Sequence, residues 1–280
     1  CALPISPERR DPWLLDAPEV VPALRALESR LPTLEQSGAV VGIGVATGYD
    51  KVYIGDFKEL PVEACRKLPL AMASDLVGGA VRWSGRGIVN PWLEDGSLAS
   101  LERWPQFGAY LRSHETALQA RHTARQAESR WYRTIDRIYP SLVGRPKLLI
   151  PDIKGEATVA YDPGSFYPHH NLYVVTSDVW DLRALQALLR SSFSLAFVAA
   201  YCVRMAGGFL RFQAQYLRRI RVPEPRSLSA ATIARLAALA ASDNMGELDE
   251  AAAEAYGTDA SETAALVRFA AHSRVSSGRP

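Results

Sequence analysis

The chain is 280 residues long, 48% hydrophobic and 22% charged, with a formal net charge of +2. That length supports one large core, or one domain with a smaller appendage, and no apolar run is long enough for a membrane-spanning helix. So small a charge does not by itself name a nucleic-acid partner, but cations outnumber anions between residues 36 and 225 and are outnumbered on either side.

Most of those central cations are arginine, whose planar fork suits bases and phosphates, so the distribution gives mild support to DNA binding. The N-terminus, Cys1-Ala2-Leu3-Pro4, shows neither a basic leader nor an apolar signal region and lacks an initiator Met, so a piece of a longer protein is expected. Cys1, Cys65 and Cys202 are odd in number and widely spaced, which suits reduced thiols and a cytoplasmic setting.

Residues 1–35 read as a Pro-punctuated linker and one lead-in helix, with Pro18 and Pro22 suited to a first turn and Leu24, Leu27 and Leu31 at helical spacing. The next stretch carries Gly42, Gly44 and Gly48, which invite a dinucleotide reading. Such a loop should end a strand and open a helix. Here Tyr49-Asp50-Lys51 reads as a turn and Val52-Tyr53-Ile54 as a second strand, so a strand–turn–strand is predicted. Thr47 and Lys51 then sit at a loop tip, within reach of phosphate or base. Further on, Arg82 and Arg86 flank a loop of small residues around Trp83; they suit DNA contact or plain solvation equally.

No Gly or Pro interrupts Tyr110 to Tyr139, so a long helix is predicted there, with Arg112, Arg121, Arg125, Arg130, Arg133 and Arg137 on it. His114 and His122 are too far apart to share a metal and read as surface residues. Three β-rich runs follow, Lys147–Ile153, Thr158–Asp162 and Asn171–Thr176. Lys154 follows the first of them. Phe166 to His170 is expected to be an exposed turn between strands. His169 and His170 suit metal, DNA or neither, and metal is least favoured because no third ligand accompanies them. Asp178 to Tyr201 is an amphipathic helix with Leu182, Leu185, Leu188 and Leu189 facing a core.

Gly207-Gly208 opens the stretch on which the functional reading turns. Arg211, Gln213 and Gln215 alternate with Phe212, Ala214 and Tyr216, as if on an extended strand with one Arg/Gln face and one apolar face. Arg and Gln fit guanine and adenine edges; a purely structural strand would look the same. After Pro225 three helices are predicted, over Ser229–Ala241, Glu247–Tyr256 and Ser261–His272.

From about Leu31 to Tyr256 the chain resembles, in order, the TaqI-like specificity domain of adenine-specific restriction-modification methyltransferases. The blocks are Gly44-x-x-Thr47-Gly48, Val89-Asn90-Pro91-Trp92, Phe107-x-x-Tyr110-Leu111 with Trp131-Tyr132, Lys147 to Ile153 with Ala160-Tyr161-Asp162, and Gly207-Gly208-x-x-Arg211-Phe212 to Pro223; Leu248-Asp249-Glu250 to Gly257 resembles the tail. The resemblance implies a mixed α/β (α+β) fold, a curved mixed β-sheet with a long linking helix and a C-terminal helical tail. It implies three segments: linker 1–35, DNA target-recognition domain 36–225 and tail 226–280.

It also implies double-stranded DNA as partner, an upstream methyltransferase domain that binds S-adenosylmethionine, and no membrane. Asn90-Pro91-Trp92 lacks the second proline of the catalytic motif, so no catalytic, cofactor or metal residue is expected in this chain. The candidate DNA contacts are Thr47, Lys51, Arg82, Arg86, Lys154, His169, His170, Arg211, Gln213 and Gln215. Two other readings remain: a complete enzyme using Asp152, His169 and His170, or a protein-interaction domain of a defence complex.

Overall fold

The computed structural model describes residues 20–125, 130–154, 158–202 and 210–273. In chain order it begins with α1 (Val21–Arg30), β1 (Ala39–Ile43), α2 (Asp50–Tyr53), β2 (Ile54–Asp56), β3 (Lys67–Ala71), β4 (Leu76–Val77), β5 (Ala80–Val81) and β6 (Arg86–Val89). Next come α3 (Pro105–Ser113), α4 (Glu115–Gln119) and α5 (His122–Arg125), then β7 (Lys147–Pro151), β8 (Ile153–Lys154), β9 (Ala160–Asp162), β10 (Tyr167–Pro168) and β11 (Leu172–Ser177). It closes with α6 (Leu182–Arg190), α7 (Ser192–Tyr201), β12 (Leu210–Arg211), α8 (Ala214–Leu217), α9 (Ala230–Leu239), α10 (Met245–Tyr256) and α11 (Ala260–Ser273).

Branched and apolar residues fill β7 and β11, which pair at the centre of a six-stranded mixed sheet ordered β1-β11-β7-β9-β5-β4. Alternation sends their side chains two ways. Leu148, Ile150, Tyr173 and Val175 enter a core shared with α6 and α7, while Leu149, Leu172 and Val174 pack with Ala71, Leu76 and Ala160 on the other face. A strand covered on both faces is apolar along its whole length, which is why these runs show no polar alternation.

The expected helix after β11 is two, α6 and α7, bent by 58° at Ser191. Asp181 caps α6 by accepting from the N–H groups of Arg183 and Ala184. Asp249, on α10, accepts from the N–H and hydroxyl of Ser192 at the start of α7. No single helix among the described residues is long and apolar enough to cross a membrane. Leu24 and Leu27 of α1, Leu236 of α9, Leu248 of α10 and Leu266 of α11 all join the same core as Leu148 and Phe197.

A second, four-stranded sheet, β10-β3-β6-β2, carries its own core. Tyr53, Leu70, Ile88, Phe107, Leu111, Leu118 and Trp131 fill it. A fully buried ion pair, Lys147 to Asp162 at 2.8 Å, stands beside the loops that lead towards it. Lys147 also donates to the carbonyls of Leu142 and Arg145, and Asp162 accepts from the N–H groups of Gly164, Ser165 and Phe166. Burial holds the Lys147 ammonium below the ordinary lysine pKa, with Asp162 opposing.

The mixed α/β class holds, and three local expectations are corrected. The helix predicted over Tyr110–Tyr139 is the three short helices α3, α4 and α5, and residues 130–139 are not α-helical. Arg121 explains much of this: its guanidinium donates to the carbonyls of Leu118, Thr47, Trp131 and Arg133, so residues there need no helical partners. The predicted strand–turn–strand fails as well. Asp50 to Tyr53 is one helical turn, and the strand after it, β2, pairs with β6 in the other sheet rather than with β1. Finally, the extended run 211–216 ends at Arg211. Gln213 is the N-cap of α8 and Gln215 lies within it, because Phe212, Leu217 and Ile220 all turn into the core. The Gly207-Gly208 pair lies outside the described residues.

Candidate nucleic-acid interface

Three strands of the large sheet end together. Ile43 pairs with Tyr173 and Pro151 with Leu172, so β1 and β7 finish where β11 begins. The connections leaving this end are therefore 44–53, 152–154 and 166–171. They are tied to one another by backbone. Val45 bridges His169, Asp152 donates to the Asn171 carbonyl, and Phe212 donates to the Asp152 carbonyl. Gly44 makes the first contact possible, since a Cβ there would lie 2.2 Å from the His169 carbonyl oxygen.

These ties bring most of the sequence candidates to one rim. Lys51 stands exposed on α2. Lys154 and Arg211 belong to a two-stranded ribbon, β8 with β12, in which Leu210 pairs with Lys154 and Arg211 with Ile153. Gln213 is half-buried and Gln215 exposed, and the Gln215 amide donates to the Gln213 carbonyl oxygen at 3.3 Å. They do not share a strand face with Arg211.

Two candidates are not where the sequence put them. Thr47 is fully buried rather than at a loop tip; its hydroxyl donates to Asp50 Oδ1 at 2.5 Å and accepts from the Tyr49 N–H. The 166–170 segment is not an exposed turn: Tyr167 and Pro168 form β10, paired in parallel with β3, and His169 is only 5% exposed. His169 Nδ1 lies 2.9 Å from Asn171 Oδ1 and its Nε2 3.3 Å from Asp50 Oδ2. Both nitrogens are thus engaged, which removes His169 as a free base. His170 is exposed and its ring lies 4.0 Å from that of His169. Burial, then the neighbouring His169, holds the His170 imidazole below the ordinary histidine pKa, so it is neutral near pH 7.

Arg82 and Arg86 are both exposed, and between them stands Trp83, a residue assigned no role from the sequence. Its indole N–H donates to the carbonyls of Leu70 and Arg86, and its ring meets Phe57 and Phe166, each at 5.6 Å. The ring remains 37% exposed. Through Phe166 this cluster adjoins the segment that ends in His169 and His170, but β5 runs parallel to β9 and so against β7, and the arginine loop leaves the large sheet at the end opposite the rim. An exposed Trp between two Arg is the signal that could have singled it out.

Three of the six arginines expected on a long helix face are instead structural. Arg121 holds four carbonyls, Arg112 pairs with Glu102 at 2.7 Å, and Arg137 donates to the Glu94 carbonyl while lying over Tyr139.

The fold is similar to that of the type IIL restriction-modification enzyme MmeI, solved in complex with DNA (TM-score 0.58, 14% identity, 86% of this chain and 35% of that one). It is also similar to that of the type IIG restriction endonuclease BpuSI (TM-score 0.60, 10% identity, 91% and 33%).

Residues 103–222 match the TaqI-like C-terminal specificity domain. In sequence it is 50% identical over 252 residues to the type II methyltransferase M.XhoI of Xanthomonas vasicola, covering 90% of this chain and 46% of that protein. It is 49% identical to M.PaeR7I of Pseudomonas aeruginosa (91% and 45%) and 42% identical to M.BstVI of Geobacillus stearothermophilus (88% and 44%). The chain thus spans about half the length of the curated relatives it matches.

Proposed function

We propose that this chain reads a double-stranded DNA site for an adenine-N6 methyltransferase whose S-adenosylmethionine-binding domain lies outside these residues. The observation that carries the reading is the convergence of three connections on one rim of the sheet. Lys51 and Lys154 would hold phosphates and fix register, with His170 donating at most one neutral hydrogen bond, while Arg82, Arg86, Arg211, Gln213 and Gln215 would read base edges. Trp83 would supply a stacking face between its two arginines. Thr47 and His169 would act from beneath, by shaping the loop that presents Lys51. The target adenine would be flipped into the catalytic domain while this half clamps the duplex. A reducing, cytoplasmic setting suits this reading, with the Cys65 thiol exposed at the surface.

Selection of bound duplexes from a random pool by the whole enzyme tests this reading. One enriched site is expected, and Arg86→Ala should relax preference at individual base pairs by about 1–3 kcal/mol. The chain alone, given duplex and labelled S-adenosylmethionine, should transfer no methyl group; measurable transfer would overturn the division of labour. Binding by the chain should weaken roughly tenfold or more between about 50 and 200 mM salt. A flat titration would point to a protein partner instead.

A further inference from the structure

Asp50, His169 and His170 place one ligand atom each within 4.8 Å of one another, although Asp50 and His169 are 119 residues apart in sequence. The fold, not chance rotamers, sets this grouping. His169 is fixed by its bridge to Val45, by its N–H on the Ala71 carbonyl at 3.1 Å and by its own carbonyl accepting from Leu172 at 2.9 Å. Asp50 is fixed through Oδ1, which the buried Thr47 hydroxyl holds, and this leaves Oδ2 turned to the ring.

The hydrogen bonds around His169 make the gap chemically informative. With Nδ1 donating to Asn171 Oδ1, Nε2 is the ring atom turned to Asp50 Oδ2, 3.3 Å away. An ion bonded at about 2.0–2.2 Å to each, at a tetrahedral angle, would hold nitrogen and oxygen roughly 3.4 Å apart, so this spacing accommodates one.

We propose that Asp50 Oδ2, His169 Nε2 and a ring nitrogen of His170 bind a divalent transition-metal ion of the zinc class. Asn171 orients His169, and Thr47 orients Asp50, as outer-shell partners do. Two imidazoles and one carboxylate favour zinc-like ions over magnesium or calcium, which prefer all-oxygen sites. Asp50 and His170 are exposed, so a fourth position opens to solvent, where water or an anionic ligand can enter. The ion would join the connection after β1 to the one before β11. This assignment does not depend on the rim's reading of DNA.

The test uses the full chain, stripped with a chelator and dialysed against Zn2+ or Co2+ without DNA. One Zn2+ per chain is expected, together with visible d–d absorption from bound Co2+ and a Zn2+-dependent rise in Tm. His170→Ala and Asp50→Asn alter exposed side chains, and each should reduce the stoichiometry from one ion to none while the metal-free circular dichroism stays unchanged. Asn171→Ala should weaken binding by about 10–100-fold. Zn2+ retained at full stoichiometry in both ligand variants, no Zn2+ bound by the unaltered chain, or equal competition by Mg2+ would each overturn the site.

Discussion

The two sheets are held together by different physics. On the helix-backed side, Leu182, Leu185, Leu188, Leu189, Phe193 and Phe197 face Leu148, Ile150 and Val175, and dispersion and burial do most of the stabilising. On the four-stranded side the chain is mostly loop, and long side chains hold its backbone. Arg121 carries four carbonyls, the Tyr53 hydroxyl donates to Tyr132, the Tyr110 hydroxyl to Val52, the Arg66 guanidinium to Trp92, and the Trp92 indole to the Thr134 hydroxyl. Burial pushes the Tyr53 hydroxyl well above the ordinary tyrosine pKa, against the opposing charge of Arg121, so it stays a donor. Loops can thus be packed as firmly as helices, provided that distant donors satisfy their carbonyls.

The contrast can be broken from either side. Phe197→Ala should cost about 3–5 kcal/mol and lower the denaturation midpoint of the whole chain, since the helices of both termini share that core. Arg121→Met should cost less, about 1.5–3 kcal/mol, and its effect should be local. Hydrogen exchange should accelerate across residues 47–53 and 130–139 and leave α6 and α7 protected; uniform acceleration would mean that the two cores unfold as one.

Glu63 sharpens the point, because it caps α3 from 43 residues away by accepting from the N–H groups of Gln106 and Phe107, each at 2.9 Å. Desolvation raises its pKa, but the backbone hydrogen bonds outweigh that and hold it below the ordinary glutamate value. A depressed carboxylate pKa stabilises the fold above the unfolded value, and that contribution disappears as pH falls through the folded value. Glu63→Ala should therefore cost about 1 kcal/mol at pH 7, with the gap to the unaltered chain closing in acid. The smallest effect belongs to the rim. Lys51→Ala should change stability by less than about 0.5 kcal/mol yet weaken binding to all duplexes alike; a change in sequence preference would move Lys51 from phosphate to base.

The same contrast explains what the sequence could convey. Apolar spacing at Leu182, Leu185 and Leu188, and the unbroken run Leu148-Leu149-Ile150, report a core directly, because period and burial are local properties. The second core is written in pairings that are remote in sequence. Nothing near Asp50 announces His169, and nothing in Arg121 distinguishes a clamp on four carbonyls from a solvated charge. Gln213 and Gln215 misled for the opposite reason: their alternation was genuine, but Phe212, Leu217 and Ile220 were better buried by a helical turn.

The close approach of Gly44 to the His169 carbonyl has a consequence for recombination. With 2.2 Å between that oxygen and any added Cβ, the segments around residues 44 and 169 can be inherited or grafted only as a matched pair. The Arg82–Arg86 loop is anchored through Trp83 both to the Leu70 carbonyl and to the ring of Phe166, so it depends on the segment around residue 169 as well. A chimaera made with a relative's loops should follow that rule: the paired segments move together or the rim collapses, and the arginine loop keeps its anchor only where an aromatic ring stands at position 166.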